Sequence, residues 1–270
     1  MPMIIPEKVH AWFDHYVNSF DSSDEDIKRN IELKQLHTHK VLEEMSGLCK
    51  ALTVKRRTAV LAGCIALFHD IGRFEQYTRY RTFADNQSVN HAELGVEVLH
   101  RERVLKDFSS QDKDLILQAI SFHNRAAIPP VDNPLLDYLS RMIRDADKLD
   151  IYRVVTEYYN QHHTKRNQAI EFNLPPGKDA SPAVLADLRA RRLVEYAHVS
   201  SQIDFRLVQL GWVYDINFRY SLRRLKERKY LQVLEQNLPA TPAITGIVRE
   251  VEQYIHEYAR DERDPNPILR

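Results

Sequence analysis

Glycine is scarce in this sequence, with seven in 270 residues, while 28% of the residues are charged and 43% hydrophobic. That balance argues against all-β architectures, which spend glycine on tight turns, and it predicts a helical protein. Cysteine is nearly missing. Cys49 and Cys64 are too few for a disulfide framework, both fall in apolar periodic segments, and they read as buried thiols in a reducing cytosol. Long apolar runs are absent: Ile65 to Phe68 falls far short of the roughly 20 residues of a membrane-spanning helix, and MPMIIPEK has no apolar h-region. Net charge is also lacking, because 38 Lys and Arg balance 38 Asp and Glu. No overall field draws the chain to nucleic acid or to an anionic membrane, so phosphate binding must be local. These absences predict a cytoplasmic protein with no membrane partner and no strong nucleic-acid signal.

What is present is helical periodicity. Val9, Trp12, Phe13, Tyr16, Val17 and Phe20 recur at spacings of three and four and form one apolar stripe. A second helix, roughly Asp24 to Ala51, puts His37, Val41, Met45 and Leu48 on one face and turns His39 almost to the opposite side. A third is expected from an N-cap at Thr53 to a C′ stop at Gly72, with His69 and Asp70 in its last turn. Residues 73–87 are polar, aromatic and aperiodic and read as a loop. Ser88 is expected to cap a fourth helix that lines up His91, Leu94, Gly95 and Val98. A fifth, from about Ser110, carries Ile116, Ala119, Ile120 and His123 inward. After the loop AAIPPVDNP a sixth, from about Leu135, carries Leu136, Leu139, Ile143, Asp147 and Asp150.

Beyond Asn160 the pattern breaks into a long connection or lid, where His162 and His163 read as an exposed pair. Helices follow near Pro182–His198, Ser201–Leu234 and Thr241–Arg260, then a frayed tail. The basic stretch SLRRLKERK carries Leu222 and Leu225 at helical spacing and reads as a surface helix. The expected organisation is a single domain over 1–270, with a core at 30–155 and a helical extension at 156–270 that covers the site or makes a homodimer.

His69 and Asp70 end a run that otherwise reads as core, and buried polar groups need compensation. More inward polar residues, His37, His91, His123 and Asp147, accompany them. Imidazole and carboxylate ligands suit borderline divalent ions, and two such ions about 3.5–4 Å apart can hold a hydroxide between them and polarise a phosphoryl oxygen. Arg73, Arg125 and Lys148, each within three residues of a candidate ligand, are candidates for phosphate contacts, although Arg73 could instead pair with Glu75 or Asp85.

Taken with their contexts, HTHKV, FHDIGR and DADKLD, these residues give an ordered H…HD…D pattern at His37, His69-Asp70 and Asp147. The chain resembles the HD superfamily of metal-dependent phosphohydrolases over residues 30 to 155. The resemblance implies an all-α HD core and hydrolysis of a phosphomonoester, phosphodiester or nucleotide through a metal-bound hydroxide. His91 and His123 fall where binuclear members have two additional histidines. By that resemblance His37, His69, Asp70 and Asp147 hold one ion, and Asp70, His91 and His123 a second, with Asp70 bridging. The other reading is one ion, with His91 and His123 on substrate phosphate. The ions are one or two of Fe, Mn, Zn, Ni, Co or Mg, and the partner is a small phosphorylated substrate such as a nucleotide. The Gly-Tyr-Pro signature of cyclic dinucleotide phosphodiesterases is missing after the doublet. Two alternatives stand beside hydrolysis: an HD-type di-iron oxygenase, and a non-catalytic metal or nucleotide sensor.

Overall fold

Residues 61–68 are buried on every side, and a helix without a polar face belongs at the centre of its packing unit. The computed structural model describes residues 4–160 and 174–259, and the chain divides into two compact units, residues 1–150 and 151–270. The described residues form an all-α fold, and no strand occurs among them.

In the first unit α1 (Glu7–Asn18), α2 (Glu25–Ala51), α3 (Arg56–Phe68), α4 (Gly72–Tyr80), α5 (His91–Arg101), α6 (Ser110–Phe122) and most of α7 (Pro134–Asn160) follow in order. The apolar α3 packs against α1, α2 and α6, while α5 packs against α4 and α6. Side-chain caps fix several starts: Asp24 accepts from the Asp26 and Ile27 amides, Asn90 from Ala92 and Glu93, and Ser109 from Asp112.

Several boundaries differ from the sequence expectation. Thr53 does not cap α3, which starts at Arg56; Thr53 instead takes a left-handed φ of 50°. Gly72 is not a stop but the first residue of α4, and α3 ends at Phe68. A Cβ on Gly72 would lie 2.2 Å from the His91 carbonyl oxygen and 2.7 Å from the Gly95 nitrogen, so glycine there lets α4 and α5 meet backbone to backbone. Residues 73–80, expected as loop, form most of α4, because burial of Phe74, Glu75, Gln76 and Tyr77 outweighs their weak local pattern. The cap of α5 is Asn90 and not Ser88, whose hydroxyl donates to the Ala84 carbonyl.

The second unit contains the last turns of α7, then α8 (Pro182–Arg189), α9 (Gln202–Gly211), a 3₁₀ turn at Trp212–Asp215, α10 (Arg219–Glu227), α11 (Tyr230–Gln236) and α12 (Pro242–Ala259). The helix expected to reach His198 stops at Arg189. The one expected from Ser201 to Leu234 is broken by the segment before α10 and by Lys229 at φ 57°. Those breaks fold Val213, Ile216, Phe218 and Leu222 into one core, where a continuous helix would spread them around its surface. Tyr152 is fully buried here and donates its hydroxyl to the Gln209 carbonyl at 2.8 Å. The basic stretch turns Leu222 and Leu225 inward, as its spacing predicts. His162, His163, most of the expected lid and the tail from 260 lie outside the described residues. No described helix is long and apolar enough to cross a membrane.

Candidate metal centre

Five elements each deliver part of one cluster. His37 comes from the middle of α2, His69 and Asp70 from the junction of α3 and α4, His91 from the first residue of α5, His123 from the C-cap of α6, and Asp147 from α7. At the junction the backbone keeps a right-handed path but tightens: the Ile71 amide donates to Phe68 at 3.1 Å and the Arg73 amide to Asp70 at 2.9 Å. These i to i−3 bonds are 3₁₀-like. The Gly72–Gly95 contact then lets the start of α5 approach Asp70. All four imidazoles and Asp70 are buried, whereas the Asp147 side chain keeps 16% of its surface exposed and gives the cluster an edge toward solvent.

Asp70 divides the cluster in two. Its Oδ2 lies 3.5 Å from His37 Nε2 and 3.7 Å from His69 Nε2. Its Oδ1 lies 3.3 Å from His91 Nε2 and 3.8 Å from His123 Nε2. Asp147 Oδ1 joins the first half, at 3.1 Å from His37 Nε2 and 3.6 Å from His69 Nε2. Ligands bound at about 2.0–2.2 Å to one ion lie roughly 3.0–3.5 Å from their neighbours. The separations in both halves are close to that range.

The histidine tautomers follow from what each Nδ1 faces. His69 Nδ1 lies 2.9 Å from the Ala66 carbonyl and His123 Nδ1 2.6 Å from the Ile120 carbonyl. His37 Nδ1 lies 2.7 Å from Asp150 and His91 Nδ1 2.7 Å from Asp85. Carbonyl and carboxylate oxygens only accept, so each Nδ1 carries a proton, and each ring in its neutral form turns an Nε2 lone pair inward. Those lone pairs face each other at 3.3 Å between His37 and His69 and at 3.0 Å between His91 and His123. Two facing lone pairs repel unless a cation sits among them, and the donor set therefore fits divalent ions on both sides of Asp70.

With no ion in place, the surrounding carboxylates favour a proton on His37, where a metal would take its position. Burial and Lys34 disfavour a charged His37, yet hydrogen bonds to Asp147 and Asp150 outweigh them and raise its pKa to about 9. Burial opposes ionisation of Asp70 and Asp147, but Lys34 and His69 around the first, and His37 and His69 around the second, hold both well below the usual carboxylate range. His91 is the reverse: burial, then Arg73, push it down to about 3, so its ring is neutral. Asp85 remains ionised despite burial because His91 and Arg73 lower it.

The six expected ligands thus converge, while the expected phosphate contacts separate. Arg73 reaches the site but is engaged by Gln76 Oε1, the Phe83 carbonyl and Asp85 at 2.7, 2.6 and 3.0 Å, with its Nε 3.5 Å from Asp70 Oδ1. Of the two pairings weighed for it, Asp85 is the one formed. Arg125 is exposed, donates to the Ser121 carbonyl and lies over the Phe122 ring, away from the ligands. Lys148 is half-buried on α7, about 100° round the helix from Asp147. His39 stays off the cluster, packed on the ring of Phe13.

Three contributors escape a reading by motif. Lys34 Nζ lies 2.7 Å from Asp70 Oδ2. Asp85 is held for His91 by Gln76, Asn124 and Arg73. Asp150, carried on the sixth helix with Asp147, is buried and orients His37. Lys34 could have been found from its place three residues before His37, on the same helix face; no comparable spacing marks Asp85.

Searches of curated proteins and of solved structures returned no match to this chain. Residues 36–152 match the family model described as the HD domain, and that stretch contains all six candidate ligands.

Proposed function

We propose that this chain is a phosphohydrolase that works with two divalent ions, one at His37, His69, Asp70 and Asp147 and the other at Asp70, His91 and His123. The observation that carries the reading is the division of Asp70, one oxygen toward each pair of inward-facing imidazoles. Bound ions would supply Lewis acidity at phosphoryl oxygens and lower the pKa of a water. An imidazole-rich set favours Zn, Fe, Mn, Co or Ni over Mg.

Charge narrows the substrate. With neutral imidazoles, the charged groups touching the ligand side chains are the carboxylates of Asp70, Asp85, Asp147 and Asp150 and the cations Lys34 and Arg73. Four against two leaves two negative charges, and two divalent ions reverse that to two positive ones. A doubly charged terminal phosphate, as in a phosphomonoester or nucleotide, is the matching ligand. The partly exposed Asp147 marks the side from which it enters, and buried His69 and His123 keep the far side closed to water.

Metal-analysed protein screened against phosphomonoesters, phosphodiesters and nucleotides tests the proposal, with Asp70→Ala as control. Hydrolysis by the wild type, with loss of both ions and of turnover in the variant, is the expected result. Equal turnover and unchanged metal content in Asp70→Ala would refute it.

A further inference from the structure

We propose that Lys34 grips the substrate's phosphoryl group, moving from Asp70 to the anion once the ions are bound; this rests on the phosphohydrolase reading above. Lys34 lies one turn before His37 on α2, which brings its ammonium to 2.7 Å from Asp70 Oδ2. That oxygen belongs to the carboxylate shared by both halves of the cluster, so the ammonium already stands beside the group that joins them. It also keeps an outlet, since 17% of the Lys34 side chain is exposed.

The other cations named for this role are less able to fill it. Arg73 is tethered by three acceptors, Arg125 faces solvent, and Lys148 sits about 100° round α7 from Asp147. Among the described residues Lys34 has one ion-pair partner, Asp70, and it is the partner whose charge ion binding would offset. Two dications on Asp70 would offset its charge and so weaken its hold on the ammonium. A phosphate dianion at the ions is then the nearest group that can take three N–H donors on a flexible stem. The Phe83 ring, 5.2 Å from Nζ, gives the ammonium a face to rest on during the move.

The test titrates inorganic phosphate by calorimetry into full-length protein loaded with Mn²⁺, with ion content measured on the same samples. Lys34→Gln should keep the wild-type ion content and bind phosphate at least tenfold more weakly, as loss of a charge-assisted hydrogen bond requires. Lys34→Arg should stay within about threefold of wild type, because it keeps the charge and the donors. Lys40→Gln, which removes a surface partner of Glu43 on the same helix, should change nothing.

Wild-type phosphate affinity in Lys34→Gln would overturn the proposal, as would loss of its ions, which would make Lys34 only a counter-charge for Asp70. If Lys34→Gln does not fold, Lys34→Arg decides: a tenfold loss of phosphate affinity in that variant counts against the role. A loaded wild type that neither binds phosphate nor hydrolyses any ester would sink the functional reading itself, a different result from a silent Lys34 variant.

Discussion

Gly72→Ala asks whether the crossing of α4 over α5 assembles the cluster. The added Cβ would sit 2.2 Å from the His91 carbonyl oxygen, 2.7 Å from the Gly95 nitrogen and 3.2 Å from its Cα. Backbone atoms cannot swing away like a side-chain tip, and a Cβ is essentially never closer than 3.0 Å to such a neighbour, so the helices must part by about 0.8 Å. The clash falls on His91 itself, whose Nε2 stands 3.3 Å from Asp70. Functional constellations tolerate only about 0.5 Å of misplacement. Overpacking costs about 1–3 kcal/mol, and better helix propensity returns up to about 1 kcal/mol. The net expectation is a loss of about 1–2 kcal/mol, read as a lower urea midpoint by circular dichroism, with a weakened second ion by chelator competition. Gly246→Ala is the internal comparison: nothing lies within 4 Å of its Cβ position inside α12, so that variant should gain about 0.5–1 kcal/mol. A Gly72→Ala protein with wild-type midpoint and ion content would refute the reasoning.

Two further outcomes follow from named hydrogen bonds. On the two-ion proposal, Asp85→Ala should weaken binding of an ion at His91 and His123 by roughly 10–100-fold and spare one at His37 and His69, because it removes the group that fixes the His91 tautomer; equal loss of both would contradict this. In the second unit Asp204 accepts from the amides and hydroxyls of Ser181 and Ser200 at 2.7–3.0 Å. Burial raises its pKa, but those bonds outweigh it and leave the folded value below the ordinary one. The stabilisation is therefore present above the unfolded pKa of about 3.9 and disappears as pH falls through the lower folded value. Asp204→Asn should be less stable at pH 7 by roughly 1–3 kcal/mol, and its urea midpoint should converge on wild type below about pH 4. A gap that is constant with pH would show that its charge is not what those serines hold.

Several candidate ligands were legible because they fall in step with core residues on a helical face. His37 is in step with Val41, Met45 and Leu48, and His123 with Ile116, Ala119 and Ile120, so that burial of the apolar members carries the imidazole inward. Lys148 shows the opposite limit, since adjacency to Asp147 on α7 turns its side chain about 100° away from it. The α4 segment was illegible because its buried members include Glu75 and Gln76, polar residues whose partners lie far along the chain: Tyr16 and Arg101 for Glu75, and Val89 for Gln76. Lys34 and Asp85 act through contacts to Asp70 and His91 that no local pattern encodes.

His69 and His123 each donate to the carbonyl three residues back, at the end of their own helix. A single bond therefore both closes off a terminus and sets which ring nitrogen is bare, so the binding-ready form is inherited from secondary structure and needs no separate selection when an ion arrives. Indels should register this dependence. One residue inserted in α3 or α6 just ahead of either histidine would rotate its ring by about a quarter turn and take the terminus with it, whereas the same insertion in the stretch 126–132 between α6 and α7 would leave both rings where they are.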